Sequence, residues 1–285
     1  MTLYLFQALN GLGLGMIYFL IAAGLSIVFG LLHFVNFAHG AFYMAAAYAC
    51  FALINAKISF WICLFLVPVM AGLAALVLEY TLIRRAYRLP HMYQILLTLG
   101  LALVIQELCI VVWGTEGLNV ATPSAFSGVV RAGDFAYPTY RLFVIAFTGV
   151  LTAALWLALE RTRLGALLRA GSESIDMVAL LGVNVKRLFA AAFALGAGLA
   201  AIAGVLAAPL RGVEPFLAQE ALGIAFVIVI IGGMGSYSGA LLAALLIGLT
   251  QSVMSGLWPP GANLMIFAAA AAIIVMRPNG LLGRA

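Results

Sequence analysis

The side chains that could carry out acid-base or nucleophilic chemistry are few and scattered. Of the three histidines, only His33 and His39 are close in sequence, and neither is accompanied by a serine or cysteine nucleophile with an orienting carboxylate. The three cysteines lie far apart inside apolar runs, and neither lysine stands in a Gly-Lys-Ser/Thr phosphate loop. These patterns predict a protein that is not an enzyme, that holds no metal or cofactor of its own and that does not hydrolyse ATP.

The longest polar, charge-bearing interval is residues 160–187, where the chain can contact a partner in water. Ser172 is placed to cap a short helix, acids follow in its first turn, and Gly182 is placed to end it. One face would be apolar and rest on the protein. The opposite face holds serine and acidic residues. Helices that lie on lipid usually carry Lys and Arg on their polar face, so this composition favours a protein partner. The residues assigned to this docking helix are Gly171, Ser172, Glu173, Ile175, Asp176, Val178, Ala179 and Gly182.

Two further segments combine polar or flexible residues with an apolar setting. Asn36 can cap a helix, and His39 then lies on the same face, so the pair is either a capped helix start with a hydrogen-bonded histidine or the mouth of a pathway. The run 232–239 holds four glycines. It is either a tight turn at the membrane interface or an unwound break at membrane depth, of the kind that shapes transporter sites.

Glu107 is the ionisable residue best placed inside an apolar run. A carboxylate within the membrane costs a few kcal/mol and indicates a functional site by default, although pairing with Gln106 or with a loop arginine is the alternative. Glu214 and Glu220 are interpreted as ordinary acids near a helix N-terminus. The candidate pathway residues are Asn10, Asn36, His39, Glu107, Gly232, Gly233, Gly235 and Ser236.

Membrane-spanning helices must position all of these residues. The chain is 66% hydrophobic and 8% charged, whereas a soluble domain carries about 25% charged residues. Runs of roughly 20 apolar residues predict an all-α polytopic membrane protein, a bundle of about nine transmembrane helices with a short cytoplasmic coupling helix. Eight spans is the alternative, because the seventh run is short. The predicted spans are 9–30, 36–54, 60–83, 93–113, 141–159, 188–210, 218–231, 239–257 and 262–276.

The distribution of Lys and Arg predicts the orientation. Most of the 14 basic residues fall in one set of alternate loops, which the positive-inside rule assigns to the cytoplasm. Nine spans then place the N-terminus outside and the C-terminus inside. The same rule accounts for the basic net charge, so nucleic-acid binding is not predicted. Residues 1–285 are expected to form a single transmembrane domain, with the coupling loop at about 160–187.

Six short motifs in a consistent order resemble those of a known family. They are Asn10-Gly-Leu-Gly-Leu-Gly-Met-Ile-Tyr18, Val35-Asn-Phe-Ala-His-Gly40, Thr162-Arg-Leu-Gly165, Ala179-Leu-Leu-Gly-Val-Asn184, Gly232-Gly-Met-Gly-Ser236 and Arg277-Pro-Asn-Gly-Leu281. Together they resemble the permease subunits of the branched-chain amino acid ABC importers, and more closely the shorter of the two paired permeases.

The resemblance implies a subunit of the bacterial inner membrane that moves its cargo by alternating access. It implies pairing with a homologous second permease, docking of two cytoplasmic ATPases that bind the ATP, and delivery of substrate by a periplasmic binding protein. On this basis Gly171–Gly182 is expected to be the helix that seats in the ATPase.

Some departures from the family pattern leave the cargo open. Ile224-Ala225-Phe226 stands where a lysine would be expected before Ala-Phe, and Glu107 stands where an amide is common after Gln106. Urea and short amides are alternatives to amino acids within the same family. Two hypotheses concern other classes of protein. The chain could be a secondary transporter or channel that works alone, or a purely structural membrane subunit.

Overall fold

The computed structural model describes residues 2–32, 34–133, 135–277 and 280–282. His33, Pro278 and Asn279, which enter the sequence analysis, lie outside these residues. The described chain is mainly helical, with one antiparallel hairpin of β1 (Val129–Ala132) and β2 (Phe135–Pro138). The helices are α1 (Thr2–Leu32), α2 (Ala38–Asn55), α3 (Phe60–Leu78), α4 (Arg84–Ala86), α5 (His91–Trp113), α6 (Thr139–Arg161), α7 (Arg163–Glu173), α8 (Ile175–Leu180), α9 (Val185–Arg211), α10 (Leu217–Gly232), α11 (Tyr237–Leu257) and α12 (Ala262–Met276).

Each of the nine predicted apolar runs corresponds to a helix. Within the described residues, seven helical segments are long and apolar enough to cross a membrane, and α2 and the 16-residue α10 are not among them. The chain is therefore an all-α polytopic membrane protein. The seven segments are Tyr4–Leu32, Phe60–Ala86, His91–Trp113, Thr139–Arg161, Val185–Arg211, Tyr237–Leu257 and Pro259–Met276.

The centre of the bundle is formed by α1 and α9. Helix α1 packs along α9, α10 and α11, and α9 also packs against α2 and α3. The apolar stretches of α1 and α9 are mostly buried, whereas those of α3, α5 and α6 are mostly exposed. Since lipid gives helices no hydrophobic drive to associate, such exposed apolar faces suit lipid or another membrane subunit.

The two central helices cross at Gly24 and Gly196. A Cβ atom at Gly24 would lie 2.7 Å from the carbonyl oxygen of Gly196 and 2.9 Å from Cε1 of His39 on α2. A Cβ atom at Gly196 would likewise lie 2.9 Å from the carbonyl oxygen of Gly24. Small residues thus let the two backbones approach closely, as is common between helices in lipid.

The β-hairpin and the α7–α8 segment lie at opposite ends of α6, because β2 leads into this helix and α7 follows it. At the hairpin end, Leu118 and Val213 form an antiparallel bridge between the α5–α6 and α9–α10 loops. At the α7–α8 end, the amide of Leu281 donates to the carbonyl of Ile231 at 2.7 Å. The last described residues therefore satisfy carbonyl groups that the end of α10 leaves without helical partners.

Glu79 is a fully buried acid at the end of α3. It begins a π-helical turn, Glu79–Ile83, in which hydrogen bonds join residues five apart. Its carboxylate accepts hydrogen bonds from Arg84 Nη2 at 2.8 Å and from the Tyr87 hydroxyl at 2.9 Å. Burial and the neighbouring Glu79 carboxylate raise the pKa of Tyr87, so its hydroxyl stays protonated and donates to the acid.

The helix crossing generates a stability prediction. Gly24→Ala should destabilise the protein by about 1–3 kcal/mol, because the new methyl group meets backbone on α9 and a buried ring on α2. Gly223→Ala in α10 is the matched control, since nothing lies within 4 Å of a Cβ atom there. Thermal unfolding of the purified protein in detergent, followed by circular dichroism, should give a lower midpoint for the first variant only. Equal midpoints would contradict the crossing.

Candidate coupling surface and transport pathway

The segment predicted as one docking helix is two helices. Thr162 caps α7 by accepting a hydrogen bond from the Gly165 amide at 3.1 Å, so the helix begins ten residues before the predicted start. The prediction that Ser172 is the cap is wrong. Its hydroxyl lies in the last turn of α7 and donates to the carbonyl of Arg169 at 2.7 Å, a local bond that serine makes readily inside a helix.

Ser174 separates the two helices and caps the second. Its backbone is extended, and its hydroxyl accepts a hydrogen bond from the Met177 amide at 3.3 Å. Helix α8 then runs for six residues. The predicted end at Gly182 is confirmed: this residue has φ +80°, and its amide donates to the carbonyl of Ala179 at 3.0 Å.

One face of α8 is anchored to the bundle. Val178 is 1% exposed and packs with Leu31 of α1 and Leu188 of α9, and Ile175 lies at the edge of the same cluster. Gly171 is also buried, and a Cβ atom there would lie 2.5 Å from the Leu31 side chain. The predicted apolar stripe is therefore present at Ile175 and Val178. Ala179 was assigned to it wrongly, because it faces outward.

The opposite face of α8 is more apolar than the sequence analysis predicted. Met177, Leu180 and Leu181 are 63%, 81% and 80% exposed, and Asp176 is exposed beside them. These four residues are called the coupling surface below. Glu173, at the end of α7, is also exposed. An exposed apolar patch with acids around it is typical of a protein interaction site.

The glycine run after α10 is a tight turn at the α7–α8 end. Gly233 and Gly235 have φ +97° and +79°, and Ser236 caps α11 by accepting a hydrogen bond from the Gly239 amide at 3.1 Å. A Cβ atom at Gly30 would lie 3.6 Å from Gly235 Cα. Of the two predicted alternatives, the turn is the one present. Gly232 contributes a close helix contact, since a Cβ atom there would lie 2.5 Å from the Gly239 carbonyl carbon.

Asn36 and His39 form the start of α2, and both are 1% exposed. The Asn36 side-chain oxygen accepts a hydrogen bond from the Ala38 amide at 3.1 Å, and His39 Nε2 lies 2.9 Å from the carbonyl oxygen of Ile21. Because that carbonyl can only accept, Nε2 carries the proton. The histidine is hydrogen-bonded as predicted, whereas Phe37 rather than Asn36 directly precedes α2, and Asn36 bonds to the first helical amide from one residue further back.

The same contact shows how deeply α2 begins. Ile21 lies 11 residues before the end of α1, which is about 16 Å along the helix axis. Non-helical backbone therefore re-enters the bundle before α2. Backbone of this kind needs partners within the protein, and the Phe37 amide finds one, because it donates to Thr98 Oγ1 at 3.2 Å. The break at membrane depth that was considered for residues 232–239 is instead found here.

Glu107 is exposed on α5, whereas the neighbouring Gln106 is 7% exposed and hydrogen-bonds to Gln219 of α10. The interpretation of Glu107 as the well-buried acid is wrong, and Glu79 has that position. Both acids lie within predicted spans. Which of the two is buried depends on how the neighbouring helices pack against it. Glu107 carries its carboxylate on a helix face that is otherwise apolar.

Asn10 lies near the hairpin end of α1, where its side-chain oxygen accepts hydrogen bonds from the Tyr137 hydroxyl at 3.0 Å and from Arg141. Gly30, which neighbours the glycine turn, lies 20 residues further along α1, or about 30 Å. The structure thus brings Asn36 and His39 together, but it does not bring them, Asn10, Glu107 and the glycine turn into one site.

Two sets of polar contacts between helices were not found from the sequence. Tyr18 of α1 donates to Gln251 of α11 at 2.7 Å, and Gln251 donates to Asn263 of α12 at 3.0 Å. Arg211 at the end of α9 pairs with Glu220 of α10 at 2.6 Å. Two features of the sequence could have indicated these contacts. Gln251 and Tyr18 are polar residues within apolar runs, and Arg211 and Glu220 have opposite charges and lie nine residues apart on either side of a loop.

Comparison with known proteins identifies the family. The family model described as "Branched-chain amino acid transport system / permease component" matches residues 7–276. The chain is 31% identical to the permease protein LivH of Escherichia coli and 30% identical to BraD of Pseudomonas aeruginosa, both named as high-affinity branched-chain amino acid transport system permease proteins. Each alignment covers 99% of this chain and 96% of the relative.

Two further similarities are more distant. LivM of E. coli, which has the same printed description, is 29% identical over 94% of this chain and 68% of its own length, so the likeness is to the shorter type of permease. A solved structure, PsaBC from Streptococcus pneumoniae in complex with Fab, matches with TM-score 0.54 at 14% identity, covering 94% of this chain and 89% of that one, and supports the fold. The chain belongs to the family of permease components of branched-chain amino acid transport systems.

Proposed function

We propose that this chain is the membrane-spanning permease subunit of an ATP-driven importer and gives alternating-access passage to branched-chain or other hydrophobic amino acids. The names of the relatives that match over nearly the full chain support this cargo over urea or short amides. A periplasmic binding protein delivers the substrate. The chain acts in transport and leaves ATP binding and hydrolysis to partner subunits.

The observation that carries this proposal is the coupling surface. A six-residue helix is anchored by Val178 against α1 and α9 while Met177, Leu180 and Leu181 project outward. An apolar ridge on a rigid base suits a groove in a cytoplasmic ATPase, which is the helix-in-groove mode of recognition. Because α8 packs on two central helices, force applied to it reaches the bundle directly. Two ATPases serve the two permeases of the complex, one on each.

The second partner is a homologous permease. Helix α5 exposes most of its apolar surface and carries Glu107 on it. A carboxylate facing hydrocarbon costs a few kcal/mol, whereas one that faces a water-filled path or a polar partner costs less. We assign this face of α5 to the interface with the second permease, where Glu107 borders the transport pathway.

The shapes of α2 and α10 support a topology of nine crossings, and the distribution of Lys and Arg supports its orientation. Helix α2 begins deep in the bundle, and the non-helical residues before it complete the crossing. Helix α10 is about 24 Å long and is preceded by the loop residues 212–216, which extend it towards the hairpin end. Nine crossings of the bacterial inner membrane place the hairpin end and the N-terminus outside, and the α7–α8 end and the C-terminus in the cytoplasm. The chain forms one transmembrane domain.

The docking assignment predicts the effect of charge on the coupling surface. The double variant Leu180→Asp/Leu181→Asp should weaken binding of the ATPase by at least about tenfold, since burial of one leucine contributes about 1.5–3 kcal/mol. Amino acid uptake should fall with it, while the permease remains in the membrane. Co-purification with the ATPase and uptake into proteoliposomes measure the two effects.

The matched control places the same substitution at the other end of the protein. Val129→Asp on β1 changes a residue that is 53% exposed at the hairpin end, and it should leave ATPase binding unchanged. Wild-type ATPase binding by the Leu180→Asp/Leu181→Asp variant would refute the docking assignment.

The role of Glu107 gives a separate prediction. Glu107→Gln keeps the size of the side chain and removes its charge, and uptake should fall about tenfold, as expected when a charge-assisted hydrogen bond is lost. Glu116→Gln, in the exposed α5–α6 loop, is the control and should retain uptake. Initial rates of leucine uptake by the complete importer measure both. A wild-type uptake rate for Glu107→Gln would contradict a role in the transport pathway and would indicate that Glu107 is structural.

A further inference from the structure

An ion pair at the hairpin end of the bundle is accessible to solvent. Nη2 of Arg211 lies 2.6 Å from both carboxylate oxygens of Glu220, and the two side chains are 30% and 31% exposed. The pair joins the end of α9 to the first turn of α10. It therefore stands at the loop that connects these two helices.

The pair does not use all of its hydrogen-bonding capacity. Arg211 contacts Glu220 through Nη2 alone, and within the described part of the chain no hydrogen bond is made by its Nε or Nη1. A guanidinium has five N–H donors, so a planar set remains for another acceptor. Each carboxylate oxygen of Glu220 can also accept more than the single hydrogen bond that it receives.

Tyr43 supplies a buried polar group beside this pair. Its side chain is 2% exposed, and no residue in the described ranges forms a hydrogen bond with its hydroxyl. The phenol lies close enough to Arg211, Tyr18 and Glu220 to interact with them electrostatically. A phenol hydroxyl can both donate and accept a hydrogen bond, so a polar group of a bound molecule would find a partner here.

We propose that Arg211, Glu220 and Tyr43 form a binding site for the α-carboxylate and α-ammonium groups of a zwitterionic amino acid. Arg211 binds the carboxylate through its uncommitted edge, and Glu220 accepts hydrogen bonds from the ammonium group. The Tyr43 hydroxyl gives a further polar contact. This inference rests on the proposed transport function and names the part of the substrate that the permease itself recognises.

The competing explanation is a structural ion pair that only ties α9 to α10. A charge-reversed pair, Arg211→Glu/Glu220→Arg, separates the two explanations, because it restores an ion pair but exchanges the positions of the carboxylate and ammonium groups. A bound amino acid would then have its side chain turned away from its normal position. A structural pair tolerates the exchange, whereas an amino acid site does not.

The test measures binding and uptake with the assembled importer in lipid nanodiscs and proteoliposomes. Saturation-transfer NMR without the binding protein should detect L-leucine, but not 4-methylpentanoate, which lacks the ammonium group, or 3-methylbutylamine, which lacks the carboxylate. Arg211→Gln and Glu220→Gln should each weaken leucine binding about ten- to a hundredfold, the effect expected from one charge-assisted hydrogen bond. The charge-reversed variant should restore neither binding nor uptake.

Recovery of wild-type uptake by the charge-reversed variant, or unchanged leucine binding in both single variants, would overturn the site. Co-elution with the ATPases establishes that each variant is folded and assembled. Failure of the wild-type importer to take up any branched-chain amino acid would instead contradict the proposed function. A wild-type importer that takes up leucine, together with single variants that bind it normally, would contradict only this inference.

Discussion

The crossing of α1 and α9 at Gly24 and Gly196 is the contact on which the rest of the bundle depends. Backbone meets backbone there, and His39 of α2 lies against the same point. In lipid, where packing replaces the hydrophobic drive, such contact allows three helices to stay together. The coupling surface and the Arg211–Glu220 pair then lie near opposite ends of the same central helix, α9, because α8 leads into its start and Arg211 is its last residue.

The position of α2 explains why polar residues occur inside an apolar bundle. The non-helical backbone before α2 needs hydrogen-bond partners, and Asn36 and Thr98 provide them. Their polarity is thus a requirement of the fold, since unsatisfied backbone groups are unfavourable in lipid. The cluster around Arg211 differs, because the hydroxyl of Tyr43 has no such structural partner within the described ranges.

The apolar runs predicted the helices well, because their length and composition are local properties of the sequence. The end of α8 was also predictable, since Gly182 adopts a left-handed conformation that glycine favours. The start of that segment was not, because Thr162, Ser172 and Ser174 are all acceptable caps and the local sequence does not choose among them. The burial of Glu79 rather than Glu107 likewise depends on helix neighbours, which periodicity within one helix does not reveal.

The Glu79–Arg84 ion pair has a consequence for how the protein enters the membrane. Both residues belong to one continuous helical segment, and Tyr87, the third member, follows three residues later. Their contacts can form as soon as this segment is helical, before any other helix is present to cover them. The acid can therefore be inserted in a neutralised state, at a lower cost than a bare carboxylate. Biogenesis of this span then does not have to wait for assembly of the bundle or for a second subunit.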